Sequence, residues 1–169
     1  MPQDDIIIEV LIEIPKGCRN KYEFDKTRNM IKFDRTLFSS VHYPSDYGYI
    51  SETHGLDDDP LDALVLVSQP TFPGCLIDAR PIGVFVMHDE KGKDDKVLCV
   101  PISDPHWNHI HSLEEVPPHL LKEIEHFFNI YKDLEEKQVR IEGWQSKQAA
   151  LEIIEDARQR FQRMQAGGE

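Results

Sequence analysis

The sequence predicts an α+β protein, mainly β, in which a small barrel or tightly curled sheet precedes two helices. Nine of the eleven prolines lie between Pro2 and Pro105, and none follows Pro118. Upstream of Pro117, short apolar runs alternate with clusters rich in Gly, Pro and Asp, and no stretch keeps a helical period over three turns. This pattern is typical of strands joined by turns. The length of 169 residues suits a single domain, 1–169, with no repeat or linker.

The first strand is predicted at Ile8–Ile14, where apolar side chains recur at every second residue and place one face toward a core. Gly, Pro and Asp clusters separate the runs that follow it. These further strand-like runs are Ala63–Val67, Gly83–Met87 and Val97–Val100, with Lys21–Phe24 and Met30–Phe33 as weaker candidates. Together they locate the barrel within about residues 6–104.

Two helices are predicted in the last third of the chain, at about 118–132 and 146–164. The first is indicated by the helical spacing of Leu120, Leu121, Ile124, Phe127, Phe128 and Tyr131. The second is indicated by one apolar stripe, formed by Ala150, Ile154, Ala157, Phe161 and Met164. Such a stripe is typical of packing against a core or a partner.

The composition excludes several classes of protein. The formal net charge is −12, whereas a nucleic-acid binder needs a basic face. The longest apolar run, Ala63–Val67, is far too short to span a membrane, and Met1–Asp5 lacks the basic start of a signal peptide. Three cysteines without a C-x-x-C pair fit a reducing compartment. We therefore expect a cytoplasmic protein without nucleic-acid or membrane partners.

The strongest local feature is the acidic segment Asp57–Asp62, which runs directly into the apolar stretch after it. Such a segment is most often a solvated loop. Here, however, Asp57 and Asp59 point the same way in extended chain, Pro60 stiffens the backbone, and Asp62 begins a buried strand where a cation would offset its charge. An EF-hand is excluded, because the sixth position counted from Asp57 is Asp62 rather than Gly.

A second acidic segment, Asp89–Lys96, lies between two predicted strands. It reads either as a solvated hairpin tip or, if Asp89 and Asp94 face the first segment, as part of a functional site. Lys, Arg and Tyr residues elsewhere in the sequence could join these carboxylates in a functional site. Carboxylates that hold hard divalent ions, together with cations that bind an anion, are what metal-assisted phosphoryl transfer requires.

In this order the motifs resemble those of soluble family I inorganic pyrophosphatases of bacterial type, from about Ile8 to Trp144. The motifs are Glu13-Ile14-Pro15, Lys21-Tyr22-Glu23, Asp34-Arg35, Tyr43-Pro44-x-x-Tyr47-Gly48, Asp57-x-Asp59-Pro60-x-Asp62, Asp89-x4-Asp94-x-Lys96 and His126-Phe127-Phe128-x2-Tyr131-Lys132-Asp133-Leu134-Glu135. The Asp-x-Asp-Pro-x-Asp signature is the most specific of them.

The resemblance implies a five-stranded, OB-like closed barrel with two packed helices, the second at the C-terminus. It implies hydrolysis of inorganic pyrophosphate to two phosphates by a metal-activated hydroxide, which makes pyrophosphate-releasing biosynthesis irreversible. It also implies several Mg²⁺ ions per site, with Mn²⁺ or Zn²⁺ as substitutes, and a homo-oligomer, commonly a hexamer.

The resemblance assigns roles residue by residue. The expected metal ligands are Asp57, Asp62, Asp94, Asp89 and Glu23. The expected catalytic residues are Asp59, as the base that takes a proton from water, with Arg35 and Tyr47. The expected substrate-binding residues are Lys21, Arg35, Tyr131 and Lys132. The expected supporting residues are Glu13, Tyr43 and Lys96. Acids outnumber cations in this set, so anion binding should need divalent ions.

Three other functions stay open at this point. A different two-metal hydrolase could act on a nucleotide or polyphosphate, although no P-loop is present. A barrel could instead be a binding module for nucleic acid or sugar. A calcium-binding structural module would keep the aspartates but leave the cations unexplained. Cys18 and the cluster His106, His109 and His111 receive no role.

Overall fold

The computed structural model describes residues 6–168, and most of the strands in them form a single sheet. The strands are β1 (Ile8–Ile14), β2 (Asn20–Asp25), β3 (Met30–Thr36), β4 (Asp46–Ile50), β5 (Asp62–Val65), β6 (Leu76–Asp89), β7 (Gly92–Lys93), β8 (Lys96–Pro101) and β9 (Arg140–Gln145). The helices are α1 (Pro118–Ile130) and α2 (Lys147–Gly167). β2 and β3 form a separate two-stranded hairpin.

Five strands close into a ring in the order β1, β4, β5, β8 and β6, and β6 returns to pair with β1. β5 and β8 are parallel, and the other pairs in the ring are antiparallel. A sheet closed on itself leaves no free edge within the ring. The predicted closed sheet of five strands with two packed helices is therefore confirmed.

Three strands were missing from the sequence prediction: β4, the two-residue β7 and β9. β4 lies in a segment rich in phenols, and Gly48 within it is required because a Cβ there would lie 1.8 Å from the Leu11 carbonyl oxygen of β1. β9 lies between the two helices, outside the predicted barrel range, and extends the sheet by pairing with β6. Its sequence alternates weakly, and Gly143 has a φ of 105°, so it carries little strand signal.

The side chains on the two faces of the strands pack into two separate apolar cores. Alternate residues of β5 show this, since Ala63 packs in the core that includes α2, whereas Leu64 packs in the core that includes α1. The predicted α1 stripe is buried at Ile124, Phe127, Phe128 and Tyr131. The predicted α2 stripe is buried at Ala150, Ile154 and Ala157, but Met164 is exposed. Neither helix has the length and apolar character that a membrane crossing needs, and this holds for the whole of residues 6–168.

Candidate active site

A buried lysine lies at the centre of the site. Asp62 and Lys96 are register partners on the parallel strands β5 and β8, so their side chains meet on one face of the sheet. The Lys96 ammonium contacts Asp62 at 2.7 Å, Asp94 at 2.9 Å and the Tyr47 hydroxyl at 2.7 Å. The Tyr47 hydroxyl in turn donates to Asp62 at 2.8 Å. The strand pairing thus joins four of the predicted site residues in one network.

The protonation states of this network follow from its contacts. Burial alone would lower the pKa of Lys96, but Asp62 and Asp94 raise it well above its usual value, so the ammonium stays charged. Burial raises the pKa of Tyr47, which keeps the phenol protonated and able to donate. Lys96 also lies 5.2 Å from the Tyr47 ring centre and 5.5 Å from that of Phe128. The lysine is therefore held in place by carboxylates and aromatic rings together.

Three of the predicted metal ligands, Asp57, Asp62 and Asp94, line one crevice. Burial raises the pKa of Asp57, and repulsion from Asp94 raises it further. Burial also raises the pKa of Asp94; Lys96 opposes this shift and Asp62 adds to it. Carboxylates crowded so that each disfavours the charge of another are stabilised by a divalent cation. These residues fit a hard metal ion, because their donors are all oxygen.

The other two predicted metal ligands lie apart from this crevice. Asp89 pairs with Lys132, and Glu23 is exposed on the β2–β3 hairpin. Across residues 6–168, no three His, Cys, Asp or Glu side chains stand close enough together to hold a metal ion as arranged. The structure thus brings three of the five predicted metal ligands to a common crevice, and the other two do not line it.

Glu13 lies on β1 and accepts a hydrogen bond from the Phe24 backbone N–H at 2.8 Å. Burial raises the pKa of Glu13 to about 7; the Phe24 hydrogen bond opposes the shift, and the nearby charge of Asp62 adds to it. Near neutral pH the side chain is therefore divided between its protonated and charged forms. This residue was predicted to support the site, and it connects the barrel to the β2–β3 hairpin.

The raised pKa of Glu13 predicts a pH-dependent stability. An acid with a higher pKa in the folded than in the unfolded state stabilises the fold most at low pH, and the benefit is lost as pH rises from about 4.5 to about 7. Relative to Glu13→Gln, the wild type should lose between about 2 and 3 kcal/mol of unfolding free energy from pH 5 to pH 8. Urea unfolding in EDTA at both pH values measures this difference.

The matched control for this prediction is Glu9→Gln, an exposed glutamate on the same strand. Its unfolding free energy should follow that of the wild type at both pH values. If Glu13→Gln also follows the wild type, the carboxyl group of Glu13 titrates normally in the folded protein and the assignment is wrong.

The hairpin formed by β2 and β3 carries two predicted substrate-binding residues, Lys21 and Arg35, which are register partners. Asp34 lies between them, 3.1 Å from Lys21 and 2.6 Å from Arg35. Burial alone would raise the pKa of Asp34, but these two cations lower it. Arg35 also contacts Glu135 through its Nε atom at 2.9 Å. The two hairpin cations therefore share the carboxylate of Asp34, and Glu135 adds a second contact to Arg35.

The end of α1 carries the other two, Tyr131 and Lys132. The Lys132 ammonium lies 3.4 Å from Asp89 and 3.4 Å from Glu90, at the tip that joins β6 and β7. Tyr131 is buried, and burial raises its pKa. Its ring packs against Phe127 and Phe128 on α1. Helix packing thus places a phenol and an ammonium beside the acidic tip.

Tyr43 and Asp59 take contrasting positions. Tyr43 is buried, and its ring centre lies 5.2 Å from that of Tyr47. The Asp59 carboxylate is about 60% exposed and lies 3.6 Å from the Lys91 ammonium. Its backbone N–H donates to the Asp57 carboxylate at 3.2 Å. The predicted base is therefore an accessible carboxylate fixed next to a residue of the crevice.

Within residues 6–168, four residues that form ion pairs with a predicted site residue received no role from the sequence. They are Asp34, Glu90, Lys91 and Glu135, each paired with a predicted site residue. The adjacency of Asp34 to Arg35 was a usable signal. Glu135, in contrast, is 100 positions away from Arg35 in the sequence, and no local pattern predicts their contact.

The closed sheet and its aspartate-lined crevice define the class of the protein, a β-sheet domain with an acidic site whose oxygen donors suit hard metal ions. The sequence model of the inorganic pyrophosphatase family matches residues 10–162. The chain belongs to the inorganic pyrophosphatase family.

Individual relatives agree with this assignment. The chain is 59% identical over 152 residues to an inorganic pyrophosphatase of Methanosarcina acetivorans, covering 90% of each chain. It is 47% identical over 161 residues to one of Geobacillus stearothermophilus, covering 95% of this chain and 98% of the relative. The crystal structure of inorganic pyrophosphatase from Thermus thermophilus superposes with a TM-score of 0.89 at 41% identity, over 92% of this chain and 91% of the other.

Proposed function

We propose that this protein hydrolyses inorganic pyrophosphate to two phosphates with the help of bound Mg²⁺. The observation that carries the proposal is the charge arrangement of the site. Asp57, Asp62 and Asp94 share one crevice. Lys21 and Arg35 are register partners on the hairpin, and Lys132 contacts Asp89 just after α1. Cations that bind an anion, placed around carboxylates that bind metal, suit a small and highly charged phosphate substrate.

Five carboxylates would hold the ions, namely Asp57, Asp62, Asp94, Asp89 and Glu23. Oxygen donors favour Mg²⁺, with Mn²⁺ or Zn²⁺ as substitutes. When bound, Mg²⁺ neutralises phosphate charge and makes a neighbouring water more acidic. The raised pKa values of Asp57 and Asp94 support this part of the proposal, because burial and then repulsion between neighbouring carboxylates disfavour their charge, and a cation offsets both.

The side chains of the protein perform the remaining steps. Lys21, Arg35, Lys132 and the Tyr131 phenol bind the oxygens of pyrophosphate, and the cations exchange their present carboxylate partners for the substrate. Asp59 accepts the proton of the attacking water at its carboxylate. Tyr47 and Lys96 hold Asp62 in one orientation, as their contacts of 2.8 and 2.7 Å require. Tyr43 supports this framework by packing against Tyr47, and Glu13 supports it through its hydrogen bond to the hairpin.

The test of the proposal is phosphate release from pyrophosphate by the purified protein, measured with Mg²⁺, with Ca²⁺ and with EDTA. We expect rapid release with Mg²⁺ and none with EDTA. A nucleoside triphosphate and a polyphosphate serve as competing substrates, and faster release from either would replace the proposed substrate. A folded protein that releases no phosphate under any condition would overturn the function.

Two further parts of the proposal concern the state of the protein in the cell. We propose a cytoplasmic homo-oligomer, with a hexamer as the expected state, and no nucleic-acid or membrane partner. The monomer mass of 19.6 kDa gives the unit for a sedimentation measurement. A sedimentation mass equal to that of the monomer at micromolar protein concentration would contradict the proposed assembly but would leave the proposed activity unaffected.

Lys132→Ala should raise KM for pyrophosphate by about tenfold or more with a smaller effect on kcat, because it removes a charged contact to the substrate. The matched control is Lys137→Ala. Lys137 lies 3.6 Å from Glu90, the same partner that Lys132 contacts, but it is 45% exposed. Steady-state kinetics at saturating Mg²⁺ measures both variants. An unchanged KM in Lys132→Ala would remove this lysine from the binding site.

A further inference from the structure

We propose that Arg160, on the C-terminal helix α2, is a positioning residue that fixes the loop bearing Asp57 and Asp59. The inference rests on the function and the metal ligands proposed above. It gives α2 a task beyond packing, because the sequence pattern of this helix pointed only to an apolar stripe.

The first evidence is a pair of hydrogen bonds that holds the backbone of His54 from both sides. The His54 N–H donates to the Ala157 carbonyl oxygen at 3.0 Å. The Arg160 side chain donates through Nε to the His54 carbonyl oxygen at 2.9 Å. Both backbone polar groups of one loop residue are thus bound to the same helix. The start of the loop is therefore fixed to α2.

The second evidence is the short connection from His54 to the aspartates. The Gly55 N–H donates to the Asp59 carbonyl oxygen at 2.7 Å, and the Asp59 N–H donates to the Asp57 carboxylate at 3.2 Å. A Cβ on Gly55 would lie 3.0 Å from both the Asp57 carboxylate and the Asp59 carbonyl oxygen. The loop is therefore closely packed, and a shift at His54 must move both carboxylates.

The third evidence is the position of the arginine itself. Arg160 lines the same crevice as Asp57, Asp62 and Asp94. Ala157, one turn before it, and Ile154, nearly two turns before it, are buried against the barrel, so α2 provides a fixed frame. A charged donor on a neutral carbonyl makes one of the stronger hydrogen bonds in proteins. Arg160 is the side chain that joins this frame to the loop.

The test compares Arg160→Ala with Arg160→Lys and with the control Arg163→Ala, an exposed arginine on the same helix. In EDTA, amide hydrogen exchange should quicken in residues 54–59 of Arg160→Ala and stay unchanged elsewhere. Calorimetric titration with Mg²⁺ should show a dissociation constant about tenfold higher, the usual effect of losing an outer contact of a metal ligand. Saturating Mg²⁺ should restore most of kcat. Arg160→Lys, which keeps a charged donor, should recover most of both effects.

Three outcomes would overturn the inference. Exchange and Mg²⁺ affinity in Arg160→Ala could equal those of Arg163→Ala. Exchange could quicken throughout the protein, which would indicate a general loss of stability. Arg160→Lys could behave like the alanine variant, which would exclude the hydrogen bond as the cause. Hydrogen exchange is measured without substrate or metal, so it tests the inference independently of catalysis. A wild type that releases no phosphate would overturn only the proposed function.

Discussion

Lys96→Met should lower the free energy of unfolding by about 3 to 5 kcal/mol, the effect expected when one partner of a buried ion pair is removed. The ammonium is 2% exposed and contacts Asp62 and Asp94 at 2.7 and 2.9 Å. Methionine keeps most of the volume but leaves two carboxylates without the charge that balances them. The loss should shrink at low pH, because burial raises the pKa of Asp94 and favours its uptake of a proton. Urea unfolding in EDTA at pH 5 and pH 8 measures both effects.

Lys91→Met is the matched control for this experiment. Lys91 also pairs with an aspartate of the site, Asp59 at 3.6 Å, but both side chains are about 60% exposed. Exposed pairs contribute little, so the control should change stability by less than about 1 kcal/mol. A loss in Lys96→Met as small as in the control would mean that the buried ion pair is not a stabilising centre of the site.

The same lysine shows what could be predicted from the sequence and what could not. Its role as a site residue came from a motif of the resemblance, and so did the closed five-stranded sheet. The apolar runs by themselves indicated a small barrel or a tightly curled sheet. Its contacts depend on the parallel pairing of β5 with β8, which aligns Asp62 with Lys96. Parallel neighbours are joined through distant parts of the chain, so no local pattern specifies their register.

The polar partners of the cations that we propose to bind substrate were even harder to predict from the sequence. Arg35 meets Glu135 only because the hairpin folds over the segment that follows α1. Ion pairs of this kind are set by tertiary packing, whereas the sequence encodes periodicity and local turns. β9 was missed for a related reason: its residues are only partly buried, and pairing with β6 makes it a strand. Secondary structure fixed by long-range pairing leaves little trace in local sequence.

Asp59→Asn should reduce kcat for pyrophosphate hydrolysis by about 10² to 10⁴-fold, the range expected when a general base is lost. Asparagine keeps the shape of the side chain but accepts no proton from the attacking water. The Asp59 carboxylate is about 60% exposed, so its replacement should leave the unfolding free energy within about 0.5 kcal/mol of the wild type. Phosphate release at saturating Mg²⁺, combined with urea unfolding, separates a catalytic loss from a structural one.

The neighbouring residue provides the control for this prediction. The Asp58 side chain is 99% exposed, and its φ of 67° is a conformation that asparagine tolerates well. Asp58→Asn removes the same charge one position away without removing the proposed base. Its kcat should therefore stay within about threefold of the wild type. Equal losses in the two variants would show that the loop acts through its total charge, and an unchanged rate in Asp59→Asn would mean that another group accepts the proton.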